Sequence, residues 1–293
     1  MADDAKSPRD ARFGQAMLLF GPPAVFVAVF MVYPYVNLLE TSFHRVEDYA
    51  IVRDFNLGNY AKALLTPLYQ DVILHSLRIA MIVTVCTLPI AYLLAYYAAF
   101  VVRRRRQLVY FLIVTPLWTS FLLRVFVWRL ILGRTGLVNG ALTSAGVVDE
   151  PLSFLLYNDF SVCLALVYIF VPFFFLPIYT AMERINPSYV EASADLGASL
   201  FTTVRRVIIP LSMPGVVTGA TFTFCLSFGD FVTPSLVGGP SGVMVSNVII
   251  TQFGTAFDWP FGSAMAVIAV IIVLGVVGAG ALFDRRRGVE VVS

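Results

Sequence analysis

Asn186-Pro187-Ser188-Tyr189-Val190-Glu191-Ala192-Ser193-Ala194-Asp195-Leu196-Gly197 lies between two long apolar runs, and it has the pattern of a short helix with both ends marked. Ser188 followed three residues later by Glu191 has the spacing of a capping box, in which each side chain satisfies an orphaned amide at a helix start. Gly197 suits the left-handed position that closes such a helix. A sharp turn and a second helix through Arg205 and Arg206 to Pro210 complete the reading. A short capped helix held by two apolar runs is what a membrane domain needs in order to receive force from a soluble partner. Its plainer reading is a cap on a connector.

The chain around this stretch is a membrane protein by composition. Of 293 residues, 59% are hydrophobic and 13% charged, and the mean hydropathy is +0.84, beyond the usual range of a soluble domain. A helix crossing ~30 Å of hydrocarbon needs about 20 apolar residues. Six stretches qualify, roughly 16–36, 76–100, 108–132, 161–182, 213–235 and 261–283, so an all-α polytopic fold with six transmembrane helices is expected. The first run is longer than a signal-peptide core, and Tyr33-Pro34-Tyr35 at its end lacks a small-residue cleavage pattern, which makes it a retained span. The expected layout is a tail over 1–15, one transmembrane domain over 16–283 that includes the loop 183–212, and a second tail over 284–293.

Basic residues set the orientation, because they accumulate on the side that is not translocated. Lys6, Arg9, Arg12, the run from Arg103 to Arg106, Arg184, Arg205, Arg206 and the run from Arg285 to Arg287 all fall on one side of the six-span layout, thirteen of the twenty basic residues. The segment from Leu236 to Pro260 contains no Lys or Arg, and 133–160 contains only Arg134. Both termini are therefore expected in the cytoplasm. The outward loop 37–75 contains Leu57-Gly58-Asn59-Tyr60, a turn followed by helix-compatible residues. Pro89, Pro116, Pro172, Pro177 and Pro234 fall within spans, where they free carbonyls and bend helices.

Several classes are excluded. A net charge of +2, with arginines in short clusters between apolar runs, argues against a nucleic-acid partner. Cys86, Cys163 and Cys225 are far apart and lack the spacing of a zinc site, so no metal site is expected. With His44 and His75 the only histidines, a clustered acid-base or metal centre has no material. An ion-coupled transporter calls for a coupling carboxylate near the midplane, and none is evident. A phosphate-binding loop requires Gly-Lys-Ser or Gly-Lys-Thr, yet the only lysines, Lys6 and Lys62, each follow an alanine. The chain carries no ATPase motif.

The loop resembles the signature of the membrane subunits of type I ABC importers: Glu-Ala-Ala, three residues, Gly, nine residues, Ile, one residue, Leu-Pro. Glu191, Ala192, Ser193, Gly197, Val207, Ile209 and Pro210 keep that spacing, with Ser193, Val207 and Ile209 as conservative departures. The resemblance implies the permease fold, a place in the bacterial inner membrane, and a coupling element formed by Glu191, Ala192, Ser193, Asp195, Gly197 and Pro210. It also implies partners: two ATP-binding subunits that hold ATP and Mg, a second, different permease chain, and an extracytoplasmic binding protein.

A second resemblance, over Phe228 to Pro240, Trp128 to Gly133 and Gly136 to Asn139, is to spermidine and putrescine permease subunits. Permeases for opines, other amines, aminoalkylphosphonates and iron complexes share parts of it, so polyamine is one of several cargoes that it allows. A flexible, multiply protonated cargo calls for carboxylates or aromatic faces along its path. Asp230 is the candidate carboxylate; counted at ~1.5 Å per residue from Met213, it lies about 25 Å along the fifth span. Asp230 could equally cap a broken helix or pair with Arg124 or Arg129. Phe228 and Phe174, the latter within Phe173-Phe174-Phe175, are the candidate aromatic residues beside it.

Overall fold

Because no water competes in hydrocarbon, each apolar segment closes its backbone hydrogen bonds within a helix, and helices account for nearly all of the regular structure. The computed structural model describes residues 19–47, 50–102 and 104–290, with backbone alone for 284–290. The tail expected over 1–15 lies outside the described residues, as do Arg103 and the chain end from Val291.

In chain order the elements are α1 (Leu19–Thr41), β1 (Arg45–Glu47), β2 (Ala50–Val52), α2 (Gly58–Leu65), α3 (Pro67–Val101), α4 (Arg106–Trp118), α5 (Phe121–Leu132), α6 (Leu137–Ser144), α7 (Asp159–Glu183), α8 (Pro187–Asp195), α9 (Leu200–Gly229), α10 (Val245–Gly254) and α11 (Trp259–Glu290). Among the described residues α1, α3, α7, α9 and α11 are each long and apolar enough to cross a membrane, and α4 with α5 and α6 forms a sixth, bent segment.

Three expectations about these segments need correction. The third span is not one straight helix over 108–132: its two halves meet at 93°. Pro116 has no N–H to continue the ladder, the chain tightens into a 3-10 turn over Thr115–Trp118, and Ser120 is extended before α5 begins. Thr119 closes that turn by donating its Oγ1 to the Pro116 carbonyl at 2.7 Å. The second span starts at Pro67 rather than 76, because Gln70, Asp71 and His75 extend a helix beyond the apolar run without breaking it. The fifth span starts at Leu200, so the helix expected to end at Pro210 continues into it, with a π-helical turn over Val204–Ile208 just ahead of the proline. The sixth span, Trp259–Phe283, ends where expected, and its backbone stays helical beyond that to Glu290.

The core is formed by α3, α7 and α9, which pack on one another. Gly215 and Gly219 of α9 set their spacing. A Cβ added at Gly215 would lie 2.5 Å from the Pro177 carbonyl, and one at Gly219 2.3 Å from the Phe174 ring. Small residues four apart let two helix backbones approach closely. Tyr92 of α3 meets Ser212 of α9 at 3.0 Å, tying the third member to the pair. Around this core α11 packs on α9, α10 and α2, while α1 leans on α11 and keeps its apolar faces exposed.

At the end of the bundle away from the α7–α9 loop, β1 and β2 pair antiparallel in a hairpin that the sequence did not reveal, with Arg45 paired to Glu47 at 3.3 Å and Asp54 at 3.1 Å. The turn-then-helix reading of Leu57 to Tyr60 corresponds to α2. Asn59 Nδ2 donates to the carbonyls of Ser42 (3.1 Å) and His44 (2.7 Å), which anchors α2 to the end of α1.

Replacing Gly219 with Leu overpacks the seam against Phe174 and is expected to destabilise the bundle by about 1–3 kcal/mol. Thermal melting of the detergent-purified complex should show the loss, with partial recovery when Phe174→Ala is added.

Candidate functional site

Two places carry side-chain arrangements that go beyond helix packing, one at each end of α9. The first is the loop joining α7 to α9. Its helix α8 begins at Asn186, whose side chain accepts from the Ser188 N–H at 3.0 Å, with Pro187 in the first helical position. This corrects the expected capping box: Ser188 lies inside the helix, and the Ser188 and Glu191 pair does not close it. An Asn-Pro start is itself a standard cap signal, so the correct start was legible.

The other end is as expected. Gly197 has φ +76°, the Ala198 N–H reaches the Ser193 carbonyl at 3.1 Å, and the Gly197 N–H reaches the Ala194 carbonyl at 2.9 Å. That is a Schellman closure, and it favours glycine because a Cβ is strained at this φ. Ser199 then caps α9 by accepting from the Thr202 N–H at 3.3 Å. Ser193 Oγ and Thr203 Oγ1 lie 2.9 Å apart and join the two helices.

No residue of α8 is buried, and Glu191, Ala192 and Asp195 are exposed. Tyr189, Leu196, Leu200 and Phe201 are exposed too, Leu196 at 88%. Ala192, Ser193, Gly197 and Pro210 line a cleft of about 1050 Å³ between α8 and the base of α9. Five of the six expected loop residues thus adjoin one cleft or its closing turn, and Glu191 stands on the exposed helix beside them. Large exposed apolar side chains among polar ones, outside the apolar part of a span, form a surface for another protein.

The second place is the break at the far end of α9. The helix stops at Gly229, and Asp230 turns the chain into a short helical stretch that includes Pro234–Gly238. The Asp230 carboxylate accepts from the Val232 N–H at 2.9 Å and the Thr233 N–H at 3.3 Å, capping the new helix. Asn247 of α10 holds the same break by donating to the Phe231 carbonyl (2.9 Å) and Ser235 Oγ (2.8 Å). Among the described residues no ion pair joins Asp230 to Arg124 or Arg129: Arg129 donates to the Tyr157 hydroxyl at 3.3 Å, and Arg124 lies over the Phe121 ring.

The aromatic candidates are interior. Phe174 is fully buried in the glycine seam, and Phe228 stacks on Phe224 with centroids 5.9 Å apart. Sequence reasoning missed Asn186, Asn247, the two seam glycines and His75, whose Nε2 lies 3.1 Å from Asp159 at the start of α7. The Asn186-Pro187 cap signal and the Gly215 to Gly219 spacing were the two signals among these strong enough to read in advance.

A bundle of apolar helices with an exposed, capped helix between two of them is the architecture of a polytopic membrane subunit. Residues 87–288 match the binding-protein-dependent transport system inner membrane component family, and the chain belongs to that family. It is 36% identical over 248 residues to the spermidine/putrescine transport system permease protein PotB of Escherichia coli (strain K12), covering 84% of this chain and 90% of that one. PotB of Salmonella typhimurium (strain SL1344) is 37% identical over 84% of this chain and 86% of its own. The inner membrane ABC transporter permease protein YdcU of Escherichia coli (strain K12) is 33% identical over 89% of this chain and 86% of its own. A solved bacterial alginate ABC transporter, in complex with an alginate pentasaccharide-bound periplasmic protein, has a chain with TM-score 0.79 at 17% identity, covering 94% of this chain and 96% of that one. The fold is that of an ABC importer permease.

Capping and charge at Asp230 separate by substitution. Asp230→Ala leaves two buried amides without an acceptor and is expected to cost about 1–3 kcal/mol in stability. Asp230→Asn keeps one of the two acceptor oxygens, and with it part of the cap and of that stability. Melting temperatures of the two variants beside their transport rates distinguish the roles, since a rate lost in Asp230→Asn at unchanged melting assigns the charge to transport.

Proposed function

We propose that this chain forms half of the translocation pathway of an ATP-driven importer for polyamines of the spermidine and putrescine type. The observation that carries this reading is its identity of 36–37% over 84% of its length to permease proteins of spermidine/putrescine transport systems. The second permease is a different chain of the same family. Escherichia coli (strain K12) has PotB and also PotC, likewise a spermidine/putrescine transport system permease protein, which is 34% identical over 45% of this chain.

The loop end of the bundle and both termini face the cytoplasm, where the Arg184, Arg205 and Arg206 cluster belongs. There α8 docks in a groove of an ATP-binding subunit through Glu191, Ala192, Ser193, Asp195 and Gly197, with Pro210 at the base. ATP and Mg are held and hydrolysed on that subunit. Closure of two such subunits displaces α8, and α9 carries the displacement to the break at Asp230, so that the pathway alternates between its two openings. A loaded extracytoplasmic binding protein delivers the cargo at the break end. When the break opens, Asp230 meets the cargo ammonium, with Phe228 two residues before it on α9 and Phe174 farther along the path, at the glycine seam.

Proteoliposomes containing this chain, its partner permease, the ATPase and the binding protein test the reading. ATP-dependent uptake of labelled spermidine is expected, and Glu191→Arg should abolish it together with the rise in ATP turnover on adding loaded binding protein. ATP turnover that depends on Glu191 while spermidine neither moves nor stimulates it would keep the importer and discard the cargo. Orientation has its own measurement: in intact cells a membrane-impermeant maleimide should label Ser241→Cys and spare Ser188→Cys until the membrane is opened.

A further inference from the structure

Beside the break, two cavities of about 540 and 470 Å³ adjoin across Leu68, Tyr69, Val243 and Val248, making one elongated groove between the start of α3 and the chain from Phe231 to Gln252. Asp71 and Ser241 lie in one compartment, Thr251 and Gln252 in the other. Asp71, Ser241 and Gln252 have no hydrogen-bond or ion-pair partner among the described residues, whereas the other polar groups nearby are engaged. His75 is held between Asp159 (3.1 Å) and the Val243 carbonyl (3.2 Å), and Asn247 spans the break. Tyr69 stands where the compartments meet, with its ring packed on Phe261 at 4.7 Å.

The charge around the groove has one sign. Its wall from Phe231 to Gln252 contains no Lys or Arg. The cation behind Tyr69, Lys62, is on Phe261 at 4.0 Å from the ring centroid and is neutralised by Asp258 at 3.5 Å. Arg78 lies seven residues past Asp71, about 10 Å along α3, and does not line the groove. An elongated site with a free carboxylate in one compartment, a free carboxamide in the other and an aromatic ring between them is complementary to a linear cation with an ammonium group near each end.

We infer that this groove is an entry vestibule for linear di- and polyammonium ions: Asp71 and Tyr69 receive one ammonium, and Gln252 with Ser241 or Thr251 accepts hydrogen bonds from the rest. The inference rests on the polyamine reading above and adds to it a site distinct from Asp230. The vestibule selects by charge and shape before the break opens.

The test uses the complete complex in proteoliposomes, with binding protein saturated by labelled spermidine. Asp71→Asn is expected to lower the import rate about tenfold, the change for one charge-assisted contact, and to lower the spermidine moved per ATP. Asp71→Glu should retain the rate, Gln252→Ala should lower it less, and Asp149→Asn, an exposed carboxylate on a different loop, should leave it unchanged. Asp71 is itself exposed, so folding is expected to survive each change, and the melting temperature checks this. Import by Asp71→Asn and Gln252→Ala at the wild-type rate overturns the vestibule and leaves the polyamine reading standing. A wild-type complex that moves neither spermidine nor putrescine overturns both.

Discussion

The close approach of α9 to α7 at Gly215 and Gly219 is the contact on which the rest of the bundle depends. In hydrocarbon there is no gain from hiding apolar side chains from lipid, so helix association rests on packing and on the polar contacts that packing allows. A backbone carbonyl of α7 and the Phe174 ring occupy the space where two Cβ atoms would otherwise stand. With that spacing fixed, Tyr92 reaches Ser212, and the chain leaving α7 has only a short distance to cover before α9 begins. The exposed helix α8 is a consequence: two helices this close leave no room for their connector inside the bundle, so it folds on the end.

Several interruptions of the helices are met by a polar side chain that takes up freed backbone groups. Asn186 and Ser199 do so on either side of α8, Asp230 and Asn247 at the end of α9, and Asn158 with Ser161 at the start of α7, where the two cap each other reciprocally. An unpaired backbone group in such surroundings costs about as much as a lost hydrogen bond. The breaks are thus as well satisfied as the helices and hold definite positions.

Much of this was legible because it depends on patterns of period or spacing. Six apolar runs gave the six segments, Gly197 gave the end of α8, and the loop spacing gave the family resemblance. Span limits were less legible, because hydropathy marks where lipid ends and says nothing of where a helix does: Gln70, Asp71 and His75 are polar yet helical, and Leu200 starts a helix well outside the apolar run. The bend between α4 and α5 depends on Thr119 taking the Pro116 carbonyl with both its N–H and its hydroxyl before Ser120 extends, a local geometry without a sequence period. Asp230 stood out as an ionisable residue in an apolar segment, and capping a broken helix was one of its readings; what composition did not encode was the choice between that cap and a pairing with Arg124 or Arg129. Ser188 misled because Ser-x-x-Glu also fits a capping box one turn too late.

The continuity of α9 from Leu200 to Gly229 makes it a lever arm. Thirty residues of helix extend about 45 Å, with the α8 surface at one end, the Asp230 break at the other, and the glycine seam between as a fulcrum. A tilt of about 10° about that seam moves the break end by about 3 Å and the α8 end by about 4 Å in the opposite sense. A rotation too small to unpack the seam therefore shifts both ends at once, and the one rod holds the two displacements to a fixed ratio.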